Sequence, residues 1–168
     1  MSIFWLIQAI AYWSLVVFLM PYSYIRRFLP FAFLGGFIYT WLVQYTAVNI
    51  LNFWQFPSDI FMVFGIPFFF VFSWFGVTLL YGYILYRYPK DQLWVILFFV
   101  AWATINNYLS IAVNQIVFVS WSVTQTLMVA IFSHVILLYV FKVMHNVDEL
   151  GAKDDILDFS LAVLKNKR

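Results

Sequence analysis

From Met1 to Tyr86 the chain carries only three charged side chains, Arg26, Arg27 and Asp59. A water-facing domain is not built this way, because soluble chains are about 25% charged. Across all 168 residues 65% are hydrophobic and 10% are charged. Apolar patches beyond a few hundred Å² are rare on soluble monomers, so lipid must be the solvent for most of this chain. The length suits one compact unit.

A membrane helix needs about 20 mainly apolar residues. Five segments fit: Ile3 to Met20, Leu29 to Leu51, Ile60 to Tyr86, Leu93 to Val113 and Ser120 to Met144. The first lacks a basic leader, and Pro21–Tyr22 makes a poor cleavage site, so it reads as a span rather than a signal peptide. Pro30 falls in the first turn of the second segment, where proline is tolerated. Pro67 falls inside the third and predicts a kink there. The connections are short, so neighbouring spans pack antiparallel. The expected fold is all-α: a compact bundle of five transmembrane helices over 1–144, followed by a short amphipathic cytoplasmic tail over 145–168.

All nine basic residues fall on one side of that arrangement. Arg26 and Arg27 lie between spans one and two, and Arg87 and Lys90 between spans three and four. Lys142, Lys153, Lys165, Lys167 and Arg168 lie at or after the end of span five. A four-span arrangement would divide them between both faces. The positive-inside rule then predicts an external N-terminus and a cytoplasmic C-terminus. The tail has apolar stripes from Ile156 onward, acids at its start and "KNKR" at its end. It suits either a helix on the inner membrane surface or a helix docking a cytoplasmic partner.

Composition also excludes chemistry. Scattered basic residues and a net charge of +2 leave no nucleic-acid footprint. Without cysteine there is no disulfide, thiolate metal site or thiol nucleophile. No charged residue falls near the middle of a span, which disfavours proton pumps, ion-coupled carriers and carboxylate-bridged metal centres. No catalytic residue, nucleophile motif or phosphate-binding motif is found. The aromatic fraction of 24% fits lipid-facing Phe with interfacial Trp and Tyr, or else an aromatic-lined pocket.

Neutral polar residues carry what chemistry remains. On the fourth span Asn107, Ser110 and Asn114 share a face at i, i+3 and i+7, with Asn106 beside them. On the fifth, Ser122, Gln125 (with Thr126) and Ser133 align, with His134 adjacent. On the second, Gly36, Thr40 and Gln44 recur at i, i+4 and i+8. Lipid cannot satisfy these groups, so their faces should meet inside the bundle. Gln44, Asn106, Asn107, Ser110, Gln125 and His134 form either interhelical hydrogen bonds, worth on average about 0.6 kcal/mol each, or a polar cavity for a small neutral or amphipathic ligand. His134 could also ligate haem, which is disfavoured. The only other histidine, His145, is eleven residues away and roughly 16 Å along a straight helix. Asp59 follows Pro57 and Ser58 and reads as an external acid in the first turn of span three, with Ser58 as its N-cap.

The stretches "WQFPSD" (Trp54–Asp59), "IP" (Ile66–Pro67), "FSWFG" (Phe72–Gly76) and "YRYPK" (Tyr86–Lys90) resemble a group of small, uncharacterised five-span membrane proteins of Firmicutes. The resemblance covers most of spans two to five. It implies the bacterial plasma membrane and supplies no catalytic residue. Five-span carotenoid cyclase-like proteins share the helix count, but their intramembrane acidic motif is missing here. Three functional classes follow: an accessory or scaffold subunit of a membrane complex, a transporter-like or binding module with a cavity between spans two to five, and a membrane enzyme acting on a lipid or isoprenoid. A cavity reaching Asn107, Gln125 and His134 separates the latter two from the first.

Overall fold

The computed structural model describes residues 2–145. Its helices are α1 (Phe4–Leu19), α2 (Tyr22–Ile50), α3 (Phe68–Arg87), α4 (Gln92–Ala112) and α5 (Val123–His145). Four two-residue strands lie between them: β1 (Trp54–Gln55), β2 (Met62–Val63), β3 (Ile66–Pro67) and β4 (Val117–Phe118). The helices α2 to α5, with 29, 20, 21 and 23 residues, are long and apolar enough to cross a membrane. Helix α1 has 16 residues. It extends about 24 Å, short of a hydrocarbon layer about 30 Å thick. By helix length the candidate spans therefore number four, with α1 as a shorter apolar helix. Residues 146–168, where the amphipathic tail is expected, lie outside the described residues.

Two boundaries differ from the reading of the sequence. The third span was expected from Ile60, but α3 begins at Phe68, and Pro67 precedes it in extended conformation. Pro67 therefore starts the helix instead of kinking it. The apolar run hides a hairpin in which Met62 pairs with Pro67 and Val63 with Ile66. Its two turn residues, Phe64 and Gly65, have φ of 51° and 75°, the left-handed pair that a two-residue hairpin of this twist requires. Helix α2 starts at Tyr22, seven residues before the expected position. Extended Pro21 precedes it, and its first turns bury Phe28, Phe31 and Ala32 while Arg26 and Arg27 face out. Pro30 is thus interior. It offers no N–H, and immediately after it α2 winds as π-helix over Phe33–Tyr39.

The π-wound segment holds Gly35 and Gly36 at the crossing of α2 with its neighbours. A Cβ on Gly36 would meet the Phe75 backbone and Thr78 of α3, and one on Gly35 would meet Leu137 of α5. The central helix is α3: 56% of its apolar stretch is buried, against 28% for α2 and α4 and 22% for α5. A helix enclosed on most sides needs apolar residues all round, and α3 has them. Helix α1 packs on it through Trp13, which stacks on Phe72 at 4.9 Å and donates Nε1–H to the Phe72 carbonyl at 3.0 Å. The other helices turn large apolar side chains outward, among them Phe18, Trp94, Phe132 and Tyr139.

The two ends of the bundle differ in chemistry. At one end β1 pairs with β4, Trp54 opposite Phe118, which joins the chain after α2 to the chain after α4. Ser2 bridges to Asp59 and donates its hydroxyl to Gln115 Oε1 at 2.7 Å, so the start of the chain closes the same cap. At the other end Arg27 donates to Tyr86 Oη at 3.1 Å and lies over that ring, while His145 packs edge-on against Phe28. Among the described residues the basic side chains Arg26, Arg27, Arg87, Lys90 and Lys142 belong to this second end, and the cap holds one charge, Asp59.

Candidate functional site

The helices α2 to α5 border a partly open cavity of about 120 Å³. From α2 it is lined by Gly35, Tyr39, Thr40 and Gln44. Trp74, Thr78 and Tyr81 of α3 form one wall. Asn106 and Asn107 of α4, and Ser133 and His134 of α5, form the rest. Among the described residues no charged side chain lines it.

Most of the polar groups are hydrogen-bonded. Tyr39 Oη and Ser133 Oγ share a hydrogen bond of 3.0 Å, tying α2 to α5. Gln44 Oε1 accepts from Trp54 Nε1 at 3.0 Å, anchoring the wall to the cap. Asn106 Oδ1 accepts from Gln8 Nε2 at 2.8 Å and from Tyr12 Oη at 3.2 Å, which joins α1 to α4. Thr78 Oγ1 donates back to the Trp74 carbonyl at 2.8 Å. His134 is 5% exposed, and its Nδ1 lies 2.7 Å from the Ala130 carbonyl. That geometry requires a proton on Nδ1 and leaves Nε2 of a neutral ring as an acceptor. Tyr81 donates to the His134 carbonyl at 2.8 Å and sets its ring edge-on to the imidazole. Asn107 Oδ1 is buried and has no partner. That oxygen is closed even to water, so Asn107 lines the cavity with its other atoms.

The structure therefore brings Gln44, Asn106, Asn107 and His134 to one cavity. Ser110 is fully buried but off the wall, its hydroxyl donating to the Asn106 carbonyl at 2.8 Å. Gln125 is exposed and accepts from Ser122 Oγ at 2.9 Å. Its neighbour Thr126 takes the lining position, since one residue turns a helix by about 100°. Asp59 is not a helix-start acid, because the next helix begins at Phe68. It is 5% exposed within the cap; Oδ1 accepts the Ile60 N–H and Oδ2 is buried without a partner. Ser58 likewise caps no helix. Gln8 and Tyr12 went unrecognised in the sequence. Their i, i+4 spacing on an otherwise apolar helix was the available signal.

The lining can recognise a neutral molecule by hydrogen bonds and aromatic faces. It contains no pair of acids and no base placed against a nucleophile. Among the described residues no three His, Asp or Glu side chains approach closely enough to hold a metal ion. No protein-family model, no curated protein and no solved structure matches the chain.

Proposed function

We propose that this chain is an integral membrane protein whose cavity among α2 to α5 binds a small neutral molecule, as a binding module or as the substrate site of a transporter-like protein. One observation carries the reading: an uncharged cavity of about 120 Å³ whose lining draws polar side chains, Gln44, Asn106, Asn107 and His134, from three of the surrounding helices. A bundle serving only as a scaffold gains nothing from such a space, because an empty cavity forfeits packing energy. Interhelical bonding accounts for Tyr39 with Ser133 and for Gln8 with Asn106, and neither bond requires the space left among the helices.

In this reading α1 is a fifth membrane-crossing helix, its shortness accommodated by local thinning of the bilayer. The basic end faces the cytoplasm and the β-capped end faces outward, as the positive-inside rule expects. The resemblance to five-span Firmicutes proteins supports a bacterial plasma membrane. The tail over 145–168 is the part suited to recruiting a cytoplasmic partner or another membrane subunit. The test is chemical. Protein purified with its native lipids is extracted and the small molecules identified by mass spectrometry, beside Ser133→Phe, which fills the cavity. The reading expects a neutral molecule enriched in the unaltered protein and lost from the variant. The same molecules from both preparations contradict it.

A further inference from the structure

We propose that the open side of this cavity is a portal to the bilayer, between the halves of α2 and α5 nearest the β-cap. Its ligand is then a neutral, lipid-soluble amphiphile that enters sideways from the membrane. The proposal rests on the binding reading above and adds the route and the class of ligand.

The other sides are closed by contacts. At the capped end Trp54 donates to Gln44 Oε1 at 3.0 Å, and Trp121 donates to Thr126 Oγ1 at 2.9 Å. The two indoles meet edge-on with centroids 5.2 Å apart. One lining residue of α2 and one of α5 thus hold a roof of two rings between the cavity and water. At the basic end Gly35 lies against Leu137 with no room for a Cβ, and below them Phe31 meets Phe141 at 5.1 Å. Toward α1, Gln8 and Tyr12 bond to Asn106. Between α3 and α4, Trp74 packs against Val100 and Ala103.

The seam between α2 and α5 is different. Helix α2 packs on α3 and α5 packs on α4, while α2 approaches α5 chiefly through its first turns. Beyond Gly35 a single hydrogen bond, Tyr39 with Ser133 at 3.0 Å, spans the seam among the described residues. The lining residues Thr40 and Val43 on α2, and Thr126 and Val129 on α5, are half-buried, whereas Val77, Thr78 and Tyr81 of the facing α3 are buried. Outside the seam stand exposed Leu42, Ile131 and Phe132, an apolar surround suited to hydrocarbon.

The route selects the ligand. A charged molecule is too costly to bring through hydrocarbon into an uncharged space. A cavity of similar volume admits benzene, so this one holds about six non-hydrogen atoms. The remainder of a longer molecule extends through the seam into lipid. Its polar end belongs inside. The Tyr39–Ser133 bond uses one hydroxyl proton of two, which leaves the other as a donor at the portal.

The experiment uses the full chain in lipid nanodiscs and two photoactivated probes, with labelled residues located by mass spectrometry. Diazirine itself is small and neutral and tests the cavity. The alcohol 3-azioctanol carries the same group beside its hydroxyl on a hydrocarbon chain and tests the route. Both should label Trp74 on the cavity wall. Val129→Trp, which narrows the seam, should cut labelling of Trp74 by 3-azioctanol at least about tenfold, the equivalent of a typical overpacking clash. Labelling of exposed Phe18 on α1 should not change, and circular dichroism should show an intact helical fold. Should that variant misfold, Thr40→Trp on the opposite rim and the two-probe comparison on the unaltered protein decide the matter. If diazirine labels Trp74 while 3-azioctanol stays on outward residues, or keeps labelling Trp74 in Val129→Trp, the portal is overturned and the cavity reading stands. Failure of both probes to reach Trp74 overturns both.

Discussion

Replacing Gly36 by alanine tests the helix crossing on which the cavity depends. The added Cβ would lie 2.8 Å from Phe75 Cα, 2.7 Å from Thr78 Oγ1 and 2.8 Å from Thr78 Cβ. Carbon atoms rest at about 3.5–4.0 Å. Phe75 Cα is backbone and cannot rotate aside, so α2 and α3 must separate by roughly 1 Å. Overpacking of this kind costs about 1–3 kcal/mol. Alanine recovers up to about 1 kcal/mol of helix propensity, which does not offset the upper part of that range. Gly76 supplies the control. A Cβ there meets the Trp13 ring at 3.4–3.6 Å, ordinary contact, so Gly76→Ala should keep the propensity gain without the clash. The two variants should differ by about 2 kcal/mol, measured by reversible unfolding in mixed micelles with circular dichroism as the signal. Gly36→Ala equal to or more stable than Gly76→Ala refutes the close crossing and with it the wall of the cavity.

Three further outcomes are expected. A double-mutant cycle of Tyr39→Phe and Ser133→Ala should give a coupling of about 0.6 kcal/mol, the average for hydrogen bonds between membrane helices; zero coupling removes the link between α2 and α5. Asp59→Asn keeps the acceptor for the Ile60 N–H and removes a desolvated charge, so its melting temperature should stay level or rise, whereas Asp59→Leu should lower it by removing that acceptor. A reporter fused after Arg168 should score as cytoplasmic, and an external signal contradicts the proposed orientation.

Much of the helical layout is legible in the sequence because membrane helices are written in long apolar runs. The ends of α4 and α5 fall within a few residues of their expected positions for this reason. The start of α3 was not legible. From Ile60 to Phe72 the run is almost wholly apolar, and hydropathy does not separate a buried hairpin from a helix. Gly65 followed by Pro67 was the available cue, since a left-handed turn before a proline breaks a helix. The polar cluster was legible as faces but not as pairs. Asn106 meets Gln8 across 98 residues of chain, a contact that no local spacing encodes. The sequence pattern pairs Gln125 with Thr126, and the cavity takes Thr126, one position on. At a helix end, where the phase is set by tertiary packing, such a shift moves a side chain from inside to outside. Local dipole logic predicts a helix-start acid at Asp59, and the β-cap encloses that residue instead.

The most direct measurement uses the absence of native cysteine. Single-cysteine variants are placed at Ala130 on the cavity wall, at Leu79 in the packed core and at Phe132 on the outward face, where that side chain is 68% exposed. Each is treated in nanodiscs with a small neutral maleimide at alkaline pH, which supplies the thiolate that the reaction needs, with and without Ser133→Phe, which fills the cavity. If the cavity admits small neutral molecules, Ala130→Cys reacts and Ser133→Phe slows it, Leu79→Cys stays inert, and Phe132→Cys is indifferent to Ser133→Phe. Ala130→Cys as inert as Leu79→Cys, together with no small molecule lost on Ser133→Phe, would contradict the account at its centre.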